Sequence, residues 1–254
     1  MKSCFEIQRL SGVGISRMSQ DFDWTTYISH LGAMPPLVQL WEIELVAELQ
    51  RYIPKRDGLK ILEIGCSNGR WLRWFKQEYG AHTFGVDLNP IQPSMVENFV
   101  LADGLCLPIR DGTFDVVFSM GLVEHFSDAR LRHKVIAEHV RAAKPQTGLV
   151  WLEHPNMNFS LDWLYVKFWY DYRQGYRHYS VTDRETKRHF QNLGVEILRT
   201  RWIGWLPPRL LKIVTSKLHK YFSWLPTVPD VILERKRFEH ALTADNFLII
   251  GRRI

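Results

Sequence analysis

The chain has 254 residues, is 46% hydrophobic, and carries 33 Lys and Arg against 27 Asp and Glu for a formal net charge of +6. That length buries one sizeable core without a second domain, and the absence of repeats or biased tracts excludes solenoid and disordered classes. The basic excess mildly favours anionic partners or a membrane surface, although the basic residues are spread out and form no long run.

Cys4, Cys66 and Cys106 show no metal-type spacing and suggest neither a disulfide framework nor a zinc site, so a reducing, cytoplasmic setting is expected. The opening MKSCFEIQRLSGVG lacks the apolar run of a signal peptide. Nowhere do about eighteen uncharged apolar residues follow one another, so no membrane span is expected.

Residues 1–34 have no regular pattern. Pro35 and Pro36 then lead into LVQLWEIELVAELQRYI, where Leu37, Leu40, Trp41, Ile43 or Glu44, Leu45 and Leu49 recur at helical spacing and predict an amphipathic helix ending before Pro54. A strand and helix rhythm follows: strand LKILEI, a Gly-bearing turn, helix RWLRWFKQEY and strand AHTFGVDL. Further strands are expected at NFVLAD, FDVVFSM and GLVWLEH, with a helix at ARLRHKVIAEHVRAA before the last of these. TDRETKRHFQNLG reads as a helix with Thr182 as cap, Glu185 three places on and Gly194 as terminator. VEILRTRW and NFLIIGRR then supply a sixth and a closing strand. Strands alternating with helices in this way imply a mostly parallel sheet with helices on both faces.

The most informative stretch is ILEIGCSNGRW, a buried strand running into a turn with Gly65 and Gly69 and then a helix. In an open α/β sheet the first strand-turn-helix lines the ligand crevice, and glycine lets the backbone approach the ligand. Glu63-x-Gly65-x-x-x-Gly69 is not the G-x-G-x-x-G of a dinucleotide site, where Ser67 and Arg70 would both have to be Gly. The phosphate-cradling G-x-x-x-x-G-K-S/T pattern is also missing from this turn.

The segment resembles the glycine-rich motif of class I S-adenosylmethionine-dependent methyltransferases, in the small-molecule, methyltransferase type 11-like branch. The resemblance covers residues 59–154 well and the remainder only through strand rhythm. It implies a Rossmann-like fold with a seven-stranded sheet, and S-adenosyl-L-methionine as cofactor. GVDLNP supplies Asp87, which in the family accepts hydrogen bonds from both ribose hydroxyls. ADGLCLPIRDGTFDVVFS supplies Asp103, in the place that usually faces the adenine amino group, with the backbone of Gly104 and Leu105 close to the ring. The cofactor-binding set implied is Glu63, Gly65, Cys66, Gly69, Asp87, Leu88, Asp103, Gly104 and Met120. One domain is expected over residues 1–254: a lid or helix at 1–56, the cofactor core at 57–154, and acceptor-side insertions at 155–181 and 202–241.

Methyl transfer from a sulfonium is a direct displacement, so the protein mainly holds donor and acceptor in line and excludes water. A hydroxyl acceptor must also lose a proton. SMGLVEHF, at the end of the fourth strand, offers His125 as general base, because its ordinary pKa is near neutrality, with Glu124 to orient it or contact the cofactor. A Glu-His pair is common here in the related branch. The alternative is that His125 caps the following helix or packs on the sheet. His154 and His178 are further candidates at the acceptor side, although such a histidine is more often a surface or hydrogen-bonded core residue. No Cys/His set has metal-ligand spacing, and no metal is expected.

Residues 155–181 hold nine aromatics, and Tyr172, Arg173, Tyr176 and Arg177 among them suit a planar, sugar-like or anionic acceptor. From Arg209 to Leu225, Leu210, Leu211, Val214, Leu218 and Tyr221 share one helical stripe, with lysines elsewhere and Trp205 and Trp224 at the flanks. This is what an interfacial membrane contact requires, and it also describes a helix packed on the domain or at a dimer contact.

The function expected is therefore methyl transfer to a small-molecule, glycan or lipid-like acceptor, at oxygen. An RNA methyltransferase is the first rival. It is lowered because Ser119-Met120-Gly121-Leu122 stands where enzymes acting on exocyclic nitrogens carry an Asn- or Asp-Pro-Pro-aromatic turn, and nucleic acid is expected not to be the acceptor. A catalytically inactive scaffold is the second rival, opposed by the presence of every motif residue.

Overall fold

The computed structural model describes residues 40–89, 96–156, 178–204, 244 and 246–254. Helix α1 spans Leu40–Tyr52 and buries Leu45, Val46 and Leu49, with Ile53 just beyond its end. Ile43 does not belong to the buried stripe; it is 52% exposed, while Glu42 and Glu48 are turned inward. Glu48 is tolerated there because Arg51, Arg199 and Arg201 all pair with it, which ties the helix to a distant strand.

The alternating core follows the order expected: β1 (Lys60–Ile64), α2 (Arg70–Tyr79), β2 (His82–Asp87), β3 (Asn98–Leu101), β4 (Val116–Met120), α3 (Ala129–Ala142), β5 (Leu149–Pro155), α4 (Asp183–Asn192), β6 (Val195–Ile203) and β7 (Asn246–Arg253). Local chemistry sets the helix ends. Asp128 caps α3 by accepting the Arg130 N–H at 2.7 Å, and Thr182 Oγ1 caps α4 by accepting the Glu185 N–H at 3.2 Å. Helix α2 stops at Gly80, whose φ of 60° lets its N–H turn back to the Lys76 carbonyl.

The seven strands lie in the order β3-β2-β1-β4-β5-β7-β6. Strands β1 to β5 pair in parallel, and β7 is inserted antiparallel between β5 and β6. Alternation along each strand sorts the core onto two faces. Ile61, Phe118, Trp151 and Ile250 pack with α1 and α2, and Phe118 stacks on Trp151 with centroids 4.3 Å apart. Leu62, Val117, Leu152 and Ile249 pack on the other side with Val135 and Ile136 of α3 and Phe190 of α4. This is a three-layer sandwich.

Cys66 is a free, buried thiol, whereas Cys106 is disulfide-bonded, a pairing its sequence context does not suggest. Among the described residues no helix is long and apolar enough to cross a membrane. The amphipathic segment 205–225 lies outside the described residues, as do Tyr172, Arg173, Tyr176 and Arg177.

Candidate active site

Strand order reverses at β1, with β2 and β3 on one side and β4 and β5 on the other. All five run parallel, so their carboxyl ends open at one edge, where such sheets bind ligands. Two groups of residues meet there.

The first is the glycine loop after β1. The Gly65 and Cys66 N–H groups donate to the Val86 carbonyl at 2.8 and 3.1 Å, which lays the loop across the end of β2. Gly65 has φ 73°, and a Cβ there would stand 2.9 Å from Leu122 Cδ1, so both backbone and space demand glycine. The Ser67 N–H donates to Asp87 Oδ2 at 2.9 Å, and the Asn89 N–H to Asp87 Oδ1 at 2.9 Å. Asp87 thus braces the loop as well as ending β2. Gly69, the N-cap of α2, closes the turn with its N–H on the Cys66 carbonyl at 2.8 Å. Cys66 turns its side chain away into the core, where a Cβ on Gly85 would meet its sulfur at 2.7 Å, and burial pushes the thiol pKa up. What Cys66 offers the crevice is backbone.

Asp103 folds the chain after β3, its Oδ1 accepting the Leu105 N–H at 2.8 Å. Gly104 presses against the end of β1, where a Cβ would lie 3.0 Å from Ile64 Cγ2. Leu88 is exposed beside Asp87, and Met120 ends β4 half-buried. Glu63 is buried on the α1–α2 face with Oε2 unpartnered. Burial, and after it the Asp87 charge, hold its carboxyl well above the usual range, with Arg73 opposing.

The second group sits at the ends of β4 and β5. Gly121, with φ 60°, turns the chain into a 3-10 turn over Val123–His125. A Cβ on Gly121 would lie 3.3 Å from Glu124 Oε1. Glu124 is 1% exposed with Oε2 unpartnered; burial and then Glu153 drive its pKa well up. Glu153, near the end of β5, is pushed up to about 8, chiefly by burial and further by Glu42, which itself pairs with Arg70 at 2.6 Å. His125 is half-buried, its ring 5.3 Å from that of His178. The Tyr179 N–H donates to the Glu124 carbonyl at 2.7 Å and pins the returning chain here. One ligand-capable atom from each of Glu124, His125 and His178 lies within 4.8 Å of the others.

Asp128 is the cap of α3, so His125 does not fill that role. His154 does not join the group. It is buried on the opposite face between β5 and α4, with Nδ1 2.9 Å from the Pro155 carbonyl and Nε2 3.1 Å from Thr186 Oγ1, and burial lowers its pKa to about 4. Pattern reading misses Glu153 and Glu42. The available signal is one charge in the otherwise apolar LVWL-E run, and an acid on the inner side of α1.

Residues 41–200 match a methyltransferase domain family. The chain is 29% identical over 119 residues to norajmaline N-methyltransferase of Rauvolfia serpentina, covering 42% of this chain and 40% of that protein. It is 30% identical over 113 residues to the chloroplastic tocopherol O-methyltransferase of Arabidopsis thaliana, covering 40% and 32%. It is 34% identical over 113 residues to probable tRNA methyltransferase 9B of Bos taurus, covering 41% and 24%. These matches therefore span no more than two fifths of the relatives' own lengths. A SAM-dependent methyltransferase from Archaeoglobus fulgidus superposes with a TM-score of 0.57 at 23% identity, covering 83% of this chain and 94% of that one. The expectation that nucleic acid is not the acceptor finds no support among relatives that include a probable tRNA methyltransferase. The chain belongs to the methyltransferase family, with the class I S-adenosylmethionine-dependent fold.

Proposed function

We propose that the protein moves a methyl group from S-adenosylmethionine to a small-molecule, glycan or lipid-like acceptor, at oxygen. The observation that carries the reading is the glycine loop braced on Asp87 beside a buried, unpartnered carboxyl oxygen on Glu63, at one sheet edge. Buried acidic groups suit a cationic ligand, and S-adenosylmethionine carries both an ammonium and a sulfonium. Gly65, Gly69 and the backbone of Cys66 would receive it, with Asp87 and Leu88 at the ribose, Asp103 and Gly104 at the adenine, and Glu63 and Met120 beneath. When bound, the cofactor supplies an electrophilic methyl group. Glu124 and His125 assist loss of the proton from the acceptor hydroxyl, and the segments 155–181 and 202–241 of the same domain shape the acceptor side. Likeness to a tocopherol O-methyltransferase supports an oxygen on a lipid-like ring.

Transfer to RNA is the second reading, favoured by the likeness to probable tRNA methyltransferase 9B and by the net charge of +6. Calorimetric titration with S-adenosylmethionine and S-adenosylhomocysteine tests the cofactor. Micromolar binding is expected, and no binding to folded protein would favour a scaffold. With cofactor in place, methyl transfer to phenols, sugars or lipids supports the first reading; salt-sensitive transfer to RNA replaces it with the second.

A further inference from the structure

The geometry points to a divalent metal site formed by Glu124, His125 and His178, taking a zinc-like ion at the acceptor side of the crevice. Glu124 and His125 come from the turn after β4, and His178 from the chain returning ahead of α4. They converge because the Tyr179 N–H is bonded to the Glu124 carbonyl at 2.7 Å, which delivers the neighbouring His178 to the turn. Two imidazoles and one carboxylate, with further positions open, are a donor set that catalytic zinc shares with non-haem iron(II). Donors on a tetrahedral zinc stand about 3.3 Å apart. The three atoms here lie within 4.8 Å of one another, so an ion would have to draw them together by up to about 1.5 Å.

A second observation points the same way. Glu124 Oε2 is buried without a hydrogen-bond partner, unlike the carboxylate of Glu48, which arginines answer. Glu153 adds a further acidic group close enough to act on Glu124. A cation seated against Glu124 would satisfy the orphan oxygen and offset this crowding.

The position of the ion deepens the methyl-transfer reading and rests on it. An acceptor hydroxyl coordinated there gives up its proton to water nearer neutral pH. Its oxygen then forms the bond to the methyl carbon as the carbon–sulfur bond breaks and sulfur keeps the electron pair. Glu124 and His125 thereby assist proton loss as ligands.

The test uses tag-free, chelator-stripped protein titrated with zinc chloride by calorimetry, with metal content measured after dialysis and S-adenosylhomocysteine titrated in parallel. About one zinc per chain at micromolar affinity or tighter is expected, weakened roughly tenfold or more by Glu124→Gln, His125→Ala and His178→Ala. His133→Ala is the control, because His133 and His189 form a separate pair with Nδ1 atoms 3.1 Å apart. It should leave zinc affinity unchanged. Absence of zinc binding, persistence of full affinity in the three variants, or its loss in His133→Ala overturns the proposal. If His178→Ala loses its circular dichroism spectrum, His178→Gln takes its place. Cofactor binding without zinc binding defeats the metal site alone; zinc binding without cofactor binding defeats the methyl-transfer reading alone.

Discussion

The two halves of the crevice are built by opposite means. At the glycine loop, Gly65, Cys66 and Ser67 are held by hydrogen bonds from their own backbone to the end of β2. At the ends of β4 and β5, Glu124, Glu153 and His178 come from three separated parts of the chain and bring two buried acids and a ring together, with Glu124 Oε2 unpartnered. The first is a backbone device that tolerates little change of conformation. The second is an electrostatic device whose behaviour depends on what binds and on pH.

The largest effect is expected of His125→Ala. Turnover with an identified acceptor should fall by roughly 10²- to 10⁴-fold while S-adenosylhomocysteine affinity is unchanged. Equal loss of both would show that the halves are not separable. Asp87→Ala is the reciprocal change: it removes the acceptor of the Ser67 and Asn89 N–H groups, so cofactor affinity should drop on the order of 100-fold, measured by calorimetry. Because Asp87 also braces the loop, a fall of a few degrees in melting temperature should accompany it. Unchanged affinity would remove Asp87 from the site.

Two smaller effects sharpen the contrast between sites and scaffold. His139 and His154 are buried with their pKa values lowered to about 4, against 6.5 when free. The unfolded chain therefore binds more protons as pH falls below about 6.5, and stability is lost progressively toward pH 4. For His154 the limit is about 3 kcal/mol, so His154→Gln should flatten the acid side of a urea-melt pH series without altering cofactor binding. An unchanged slope would mean that His154 titrates freely. Thr182→Ala, which removes the cap of α4, should cost about 1 kcal/mol of stability and leave cofactor affinity alone.

The helices and strands of the core are legible in the sequence because hydrophobic period, capping residues and glycine position are local signals. Thr182, Glu185 and Gly194 mark α4 by their spacing alone, and Gly65 and Gly69 mark the loop. Ile43 is misleading because several registers of the α1 stripe are apolar, and only the arginines of β6 decide that Glu48 faces inward. Position at the end of β5 points His154 to the acceptor side, yet strand alternation sends it to the opposite face, onto Thr186.

By itself the sequence determined the fold class, the strand and helix order and the glycine loop with Asp87, because each depends on residues within one or two turns of chain. The tertiary structure alone decided that Glu153 is a high-pKa carboxyl and that His178 stands beside Glu124 and His125. Spacing could not reveal a three-ligand cluster whose members lie across a 53-residue separation from His125 to His178, bridged in space by one backbone hydrogen bond to Glu124. Burial and through-space charge are properties of packing, and packing is what pattern along the chain does not encode locally.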